Sequence, residues 1–109
     1  MTMTPCDTLA DVRSAIDQID FMLVGLLAER GRYVNEAARF KRNKADVAAP
    51  DRVRQVIDKA LRHARDMGAP PEVVEAVYRS MITAFIELES LQHDRLNLAV
   101  PADEGTMAG

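Results

Sequence analysis

Apolar residues recur every three or four positions along the first forty residues, the spacing that places them on one face of an α-helix. This face contains Leu9, Val12, Ile16, Ile19, Leu23 and Leu26. The same spacing then reaches Arg30, so an arginine occupies a position that the pattern assigns to the apolar face. Because a buried guanidinium is costly without a compensating anion, we interpret Arg30 as a ligand-binding residue.

The first helix is predicted to be unusually long. Asp7 or Thr8 can cap its free amides, and no breaker follows until the polar segment that begins at Arg42. About 35 residues at ~1.5 Å each make a rod of roughly 50 Å. A compact domain of this size is narrower than that. We therefore expect the helix to be buried against a second copy of the chain rather than by its own chain alone.

Two further helices are predicted after a connector over residues 42–49. One begins at Pro50 and ends at Gly68, and the other begins at Pro70 and Pro71 and fades near Asn97. The predicted inner face of the second helix contains Val53, Val56, Ile57, Ala60, Leu61 and Ala64, and that of the third contains Val74, Val77, Tyr78, Met81, Ile82, Phe85, Leu88 and Leu91. The fold class is all-α: a three-helix subunit with a long first helix, in an intertwined helical homodimer. We expect a lead over residues 1–7, a helical domain over 8–97 and a disordered tail over 98–109.

Composition and charge narrow the function classes. The chain of 109 residues, 48% of them hydrophobic, is long enough for one small globular domain. Its formal charge of −3 argues against nucleic-acid binding by phosphate neutralisation. Only one cysteine, Cys6, is present, so no intrachain disulfide is expected. With no apolar run of membrane-span length and no signal peptide pattern, we expect no membrane partner and a cytoplasmic location.

Helix geometry tests whether the cations of the first helix can share one site. Arg30 and Lys41 are 11 residues apart, so on a continuous helix they point the same way with ~16 Å between their α-carbons. Arg13 and Lys41 are 28 residues apart, or roughly 42 Å on that helix. If one pocket uses all three cations, Arg13 comes from another subunit.

Two more charged residues lie beside the predicted apolar faces. Arg52 is in the first turn of the second helix, where its side chain and the helix N-terminus can form an anion site. Glu89 is on the inner edge of the third helix, where a carboxylate needs a proton or a cation such as Lys41 or Arg52. Simpler interpretations stay open: Arg13 as a solvated flank residue, and Glu89 or Glu36 as a structural partner of Arg30. The two histidines show no metal spacing, so no metal site is expected.

The motifs taken together resemble the all-helical chorismate mutase family. They are LADVRSAIDQID, LLAERGRYV and AARFK, followed by a short loop and PDRV, and the likeness extends over about residues 8–95. It is closest to the isochorismate pyruvate-lyase branch, whose members also carry a proline-containing loop before the second helix. The resemblance implies an intertwined homodimer of three-helix subunits, with two active sites that each use an arginine of the partner chain.

The resemblance also implies a role for each candidate residue. Arg13 matches the arginine supplied by the partner chain, and Arg30 the arginine that binds a substrate carboxylate. Lys41 matches the lysine that hydrogen-bonds a carboxylate and the breaking ether oxygen, and Arg52 the arginine at the start of the second helix. Glu89 stands where many members place a glutamine that donates to the same ether oxygen and others place a glutamate.

The implied chemistry fits a cation-rich pocket. Chorismate carries two carboxylates, and its rearrangement to prephenate is pericyclic, so it requires no nucleophile, metal or cofactor. Val53 and Ala49 depart from the best-known bacterial mutases, which place a glutamate and an aspartate there, and this favours the lyase branch. Glu89 favours the mutase, because the lyase branch usually has glutamine at that position. We therefore predict a chorismate mutase, with an isochorismate pyruvate-lyase as the alternative. The alternative from another class is a non-catalytic helical dimer or a metabolite-binding module.

Overall fold

The computed structural model describes residues 5–99, and the side chains of residues 5–95. Over this range the chain is helical and contains no strand. Its helices are α1 (Leu9–Ala38), α2 (Lys44–Ala48), α3 (Pro50–Met67) and α4 (Pro71–Ala99). The predicted all-α class with three main helices is confirmed, and residues 44–48, predicted to be connector, form a fourth short helix. Of the predicted tail over residues 98–109, residues 98–99 belong to α4 and the rest lie outside the described residues.

The chain forms two compact units, with the boundary between Val34 and Asn35 inside α1. The first unit contains most of α1, whose start is fixed by a reciprocal cap. The Thr8 hydroxyl accepts from the Asp11 amide at 3.1 Å, and the Asp11 carboxylate accepts from the Thr8 amide at 3.2 Å. Thr8 is thus the cap, as one of the two sequence alternatives predicted. No residue of α1 is buried, so its apolar face is accessible along the whole helix.

The second unit holds the buried core. Its buried apolar residues are Val47 of α2, Ile57, Ala60 and Ala64 of α3, and Ile82 of α4. The alanines at one face of α3 allow a close approach to α4, and the core therefore sits where α2 and α3 pack on α4. None of the helices within residues 5–99 has the length and apolarity needed to cross a bilayer.

Proline and glycine set the ends of α3 and the start of α4, as predicted. Pro50 occupies the first turn of α3, and Gly68 ends the helix in left-handed geometry at φ 74°. The Ala69 amide donates to the Ala64 carbonyl at 2.8 Å, the bond expected one residue beyond such a cap. Pro71 then begins α4.

Ala49 joins α2 to α3 in a strained conformation. It precedes Pro50, which predicts a departure from right-handed helical geometry, and the structure confirms this with φ 36° and ψ 64°. This left-handed conformation costs a residue other than glycine roughly 1–2 kcal/mol. The Ala49 amide still donates to the Ala45 carbonyl at 3.0 Å, so α2 is closed by a regular hydrogen bond despite the strain.

Candidate active site

A buried carboxylate on α4 is the centre of the candidate site. Glu89 is 4% exposed, and it is the buried charged residue of the described part of the chain. The ammonium of Lys41 lies 2.8 Å from Glu89 Oε2, and the Lys41 side chain is 24% exposed. The predicted inward position of Glu89 is confirmed, and the sequence left a cation or a proton open as its compensation. Of the two candidate cations, Lys41 supplies the charge.

The contact between these groups is an ion pair rather than an aligned hydrogen bond. The Nζ–Oε2 distance is short, yet among the described residues Oε2 has no hydrogen-bond donor, so the angle at the contact is unfavourable. A buried acceptor that lacks a hydrogen bond costs roughly 1–3 kcal/mol. Glu89 Oε2 is therefore an atom at which a better-aligned ligand donor would be favoured.

Lys41 reaches Glu89 from a turn and not from a helix. After Ala38 the backbone tightens into bonds three residues apart, and the Lys41 amide donates to the Ala38 carbonyl at 3.2 Å. The expectation that α1 continues to Lys41 is wrong, because these tighter bonds end the α-helix at Ala38. The 11-residue helical spacing between Arg30 and Lys41 therefore does not describe their separation.

Arg52 occupies the predicted position in the first turn of α3. Its side chain is exposed and donates to Oε1 of Gln55, one turn further along the same helix, at 2.6 Å. The guanidinium is thus directed along the solvent face of α3 by Gln55. It does not serve as the partner of Glu89, which the sequence left open as a possibility.

Arg13 and Arg30 belong to α1 and to the first unit. Arg13 is exposed and Arg30 is half-buried. They are 17 residues apart, which is ~26 Å along a helix, so one metabolite cannot contact both on a single copy of α1. The use of Arg13 by the site of another subunit stays a prediction.

The structure adds polar residues that sequence reasoning missed. Asn43 caps α2 by accepting from the Asp46 amide at 2.9 Å, Asp46 accepts from Arg42, and Lys44 contacts Asp94 of α4 at 3.0 Å. The spacing Asn-x-x-Asp is similar to a capping box and is the signal that could have predicted α2. No local pattern predicts the contact with Asp94, because 50 residues separate the pair.

Comparison with known proteins identifies the family. Residues 12–90 match the family described as chorismate mutase type II. This range includes all five candidate site residues. The chain belongs to the chorismate mutase type II family. The resemblance inferred from the motifs is confirmed, as is the prediction of an enzyme of this family.

Two curated relatives carry different activities in their names. The chain is 38% identical over 85 residues to an isochorismate pyruvate lyase of Pseudomonas aeruginosa, a similarity that covers 78% of this chain and 84% of that protein. It is 31% identical over 88 residues to a bifunctional chorismate mutase/prephenate dehydratase of Aquifex aeolicus. That similarity covers 76% of this chain but 24% of the longer protein. The two relatives are thus named for different reactions, and the activity of this chain has to be assigned to one of them.

Proposed function

We propose that this enzyme is a chorismate mutase that rearranges chorismate to prephenate in a homodimer with shared active sites. The observation that carries the proposal is the ion pair between Lys41 and the buried Glu89, in a chain of the chorismate mutase type II family. A lysine and a carboxyl group side by side provide a cation for an anionic substrate and a group that donates a hydrogen bond when protonated.

Each cation has a part in binding the substrate dianion. Arg30 binds one carboxylate. Further positive charge around the substrate comes from Arg52 and from Arg13 of the second subunit. Lys41 contacts a carboxylate and the ether oxygen on which negative charge develops as the C–O bond breaks. Guanidinium groups suit bidentate binding of carboxylates, and an ammonium suits a single oxygen atom. The rate enhancement comes from selecting the compact conformer and stabilising that oxygen.

Glu89 has two states in this proposal. In the free enzyme its carboxylate pairs with Lys41, which keeps both charges compensated in a buried place. When a substrate carboxylate takes over Lys41, a protonated Glu89 donates a hydrogen bond to the ether oxygen. Because the Lys41 ammonium lies 2.8 Å from Glu89 Oε2, a proton can occupy this oxygen only after the ammonium has moved to the substrate.

The homodimer is supported by the accessible apolar face of α1. Leu9, Ile16, Leu23 and Leu26 are 61%, 49%, 51% and 60% exposed in the single chain. Apolar surfaces that extend along a whole helix mark interaction sites, and a second copy of the same helix is a matching partner. The dimer would also bring Arg13 of one subunit to the site of the other, which is consistent with the 17-residue separation of Arg13 and Arg30 on α1.

Isochorismate pyruvate-lyase activity is the second candidate. One argument for it is the 38% identity to a lyase, in an alignment that covers 84% of that lyase. The other is that Val53 and Ala49 replace the glutamate and the aspartate that the best-known bacterial mutases carry at these positions. Both reactions would use the same cations on a similar dianion. Glu89 counts against the lyase, because the lyase branch that the chain resembles usually has a glutamine at this position.

The test is to offer the purified protein chorismate and isochorismate separately and to identify the products by chromatography. We expect prephenate from chorismate, with pyruvate and salicylate from isochorismate as the result that would assign the lyase instead. Lys41→Met should abolish either activity. Lys59→Met, at an exposed lysine of α3, is the matched control and should leave the rate unchanged. Equal rates for both variants would contradict the proposed site.

A further inference from the structure

The segment that follows α1 carries four cations, and each is paired with a carboxylate. The pairs are Arg39–Glu36, Lys41–Glu89, Arg42–Asp46 and Lys44–Asp94. Two of them join this short segment to α4, at positions five residues or ~7.5 Å apart along that helix. The segment that bears Lys41 is therefore attached to α4 at two points.

Asp46 fixes the backbone beside Lys41. Its Oδ2 atom accepts from the Arg42 amide at 3.0 Å and from Arg42 Nε at 3.3 Å. The hydrogen bond from the Arg42 amide holds the pKa of Asp46 below its ordinary value of 3.8. Burial, the next-largest effect, opposes this shift, and the Arg42 side chain and the charge of Lys41 add smaller effects that lower the pKa. The Asp46 carboxylate is thus ionised at neutral pH and holds the residue next to Lys41.

Asp94 holds the other end of the same turn. Lys44 is the first residue of α2, and its ammonium lies 3.0 Å from Asp94 Oδ2. Both side chains are well exposed, at 62% and 45%, so this pair contributes little to overall stability. Below it, Val47 is 3% exposed and anchors α2 in the core. Ala49 at the end of α2 has a positive φ of 36°, a conformation that an alanine backbone does not favour by itself.

We propose that Asp46 and Asp94 are positioning residues for Lys41, which together hold residues 42–48 on α4 so that the Lys41 ammonium stays within reach of Glu89 and of the reacting oxygen. The inference rests on the proposed function of Lys41. Neither aspartate contacts the substrate in this arrangement. A misplacement of about 1 Å can cost a reaction roughly 100-fold in rate, so a weak surface pair can matter for catalysis without mattering for stability.

The kinetic test compares Asp46→Ala and Asp94→Ala with a matched control. We expect kcat to fall by roughly 10-fold in each variant while KM changes by less than about 3-fold, because each substitution weakens the placement of Lys41 on which the transition state depends. Glu75→Gln is the control, since Glu75 also forms an exposed ion pair on α4, with Arg79 at 2.9 Å. It lies 19 residues from Asp94, or ~28 Å along the helix. Its kcat should be that of the parent protein.

A charge exchange separates positioning from direct action on the substrate. Lys44→Asp combined with Asp94→Lys restores the pair with its polarity reversed, and kcat should return to within about 3-fold of the parent value. If Asp94 acted on the substrate, the exchange would not restore the rate. Values of kcat for both alanine variants equal to that of Glu75→Gln would overturn the proposal, as would a fall in melting temperature large enough to explain the reduced activity.

Hydrogen exchange of the Arg42 amide gives a readout that does not depend on turnover. Asp46→Ala removes the acceptor of this amide, so we expect its exchange to accelerate by at least about 10-fold while the amides of α3 and of the central part of α4 stay protected. Unchanged exchange would overturn the positioning role. A parent protein that converts neither chorismate nor isochorismate would instead overturn the proposed function, and the exchange result would still decide whether Asp46 holds the segment.

Discussion

The two units of this chain differ in what has to be compensated: the first exposes apolar side chains, and the second buries a charge. In the first, α1 exposes a continuous apolar face and buries no residue. In the second, a charged residue, Glu89, is buried among apolar ones and is compensated within the chain by Lys41. Exposed apolar surface is stabilised by contact with another molecule, whereas a buried charge has to be compensated locally. The comparison separates a charge that the chain compensates alone from an apolar face that contact with another molecule would stabilise.

The largest expected effect is the loss of activity in Arg13→Ala and in Lys41→Ala, each by at least about 100-fold. Mixing the two inactive proteins under conditions of subunit exchange should restore about a quarter of the parent activity, because half of the dimers are mixed and each of these contains one intact site. The measurement is the steady-state rate after mixing.

The control for that experiment uses two residues of the second unit. Lys41→Ala mixed with Arg52→Ala should recover no activity, since each site of the mixed dimer lacks one cation from its own chain. Two results would contradict a site shared between subunits. One is recovery of activity in the control mixture, and the other is no recovery in the mixture with Arg13→Ala although the subunits demonstrably exchange.

Arg30→Leu tests whether the arginine on the apolar face of α1 serves substrate binding or stability. Leucine continues the apolar face that Arg30 interrupts, so the variant should lose turnover while the free protein stays as stable as the parent or becomes more stable. Melting curves and activity assays at equal protein concentration decide the outcome. Strong destabilisation with retained activity would indicate a structural ion pair at Arg30 instead.

The Lys41–Glu89 pair should respond asymmetrically to substitution. Lys41→Met leaves a buried carboxylate without its cation and should lower the free energy of unfolding by about 3 kcal/mol. Glu89→Gln removes the buried charge and leaves Lys41 partly accessible to water, so it should change stability by less than about 1 kcal/mol. Urea unfolding of both variants and of the double variant, which should regain most of the stability, checks this. Equal destabilisation by the two single changes would contradict it.

The pH dependence of turnover tests the second state of Glu89. Only a protonated carboxyl group can donate to the ether oxygen, so the rate should be higher where more of the enzyme carries this proton. Glu89→Gln provides a neutral donor at every pH and should flatten the pH profile. Steady-state rates of both proteins across a range of pH are the measurement, and parallel profiles would return Glu89 to a structural role.

The smallest expected effect concerns Asp46 and how the free energy of unfolding changes at acidic pH. Its pKa is lowered below 3.8 by the Arg42 amide, so its stabilising contribution is present above 3.8 and is lost as the pH falls through the lowered pKa. Asp46→Asn lacks this contribution. The stability difference between the parent and the variant should therefore be constant near neutral pH and disappear in strong acid, as measured by denaturant unfolding. A difference that persists there would show another cause.

The local elements follow from sequence because their signals are local. Thr8 with Asp11, Pro50 and Gly68 satisfy or remove backbone groups within a few residues, so they fix the helix ends regardless of what packs around them. The inward position of Glu89 likewise follows from the apolar spacing of α4. The family followed from the set of motifs, since their spacing reflects a shared arrangement of helices.

The tertiary structure decided what depends on contacts between distant residues. The sequence extended α1 through Lys41, but the chain turns after Ala38 and α2 folds onto α4, where Val47 is buried and Lys44 meets Asp94. The choice of Lys41 over Arg52 as the partner of Glu89 depends on that turn. Periodicity specifies which face of a helix is apolar, but the end of a helix and the partner of a buried charge depend on energies of packing and ion pairing that only the folded chain brings together.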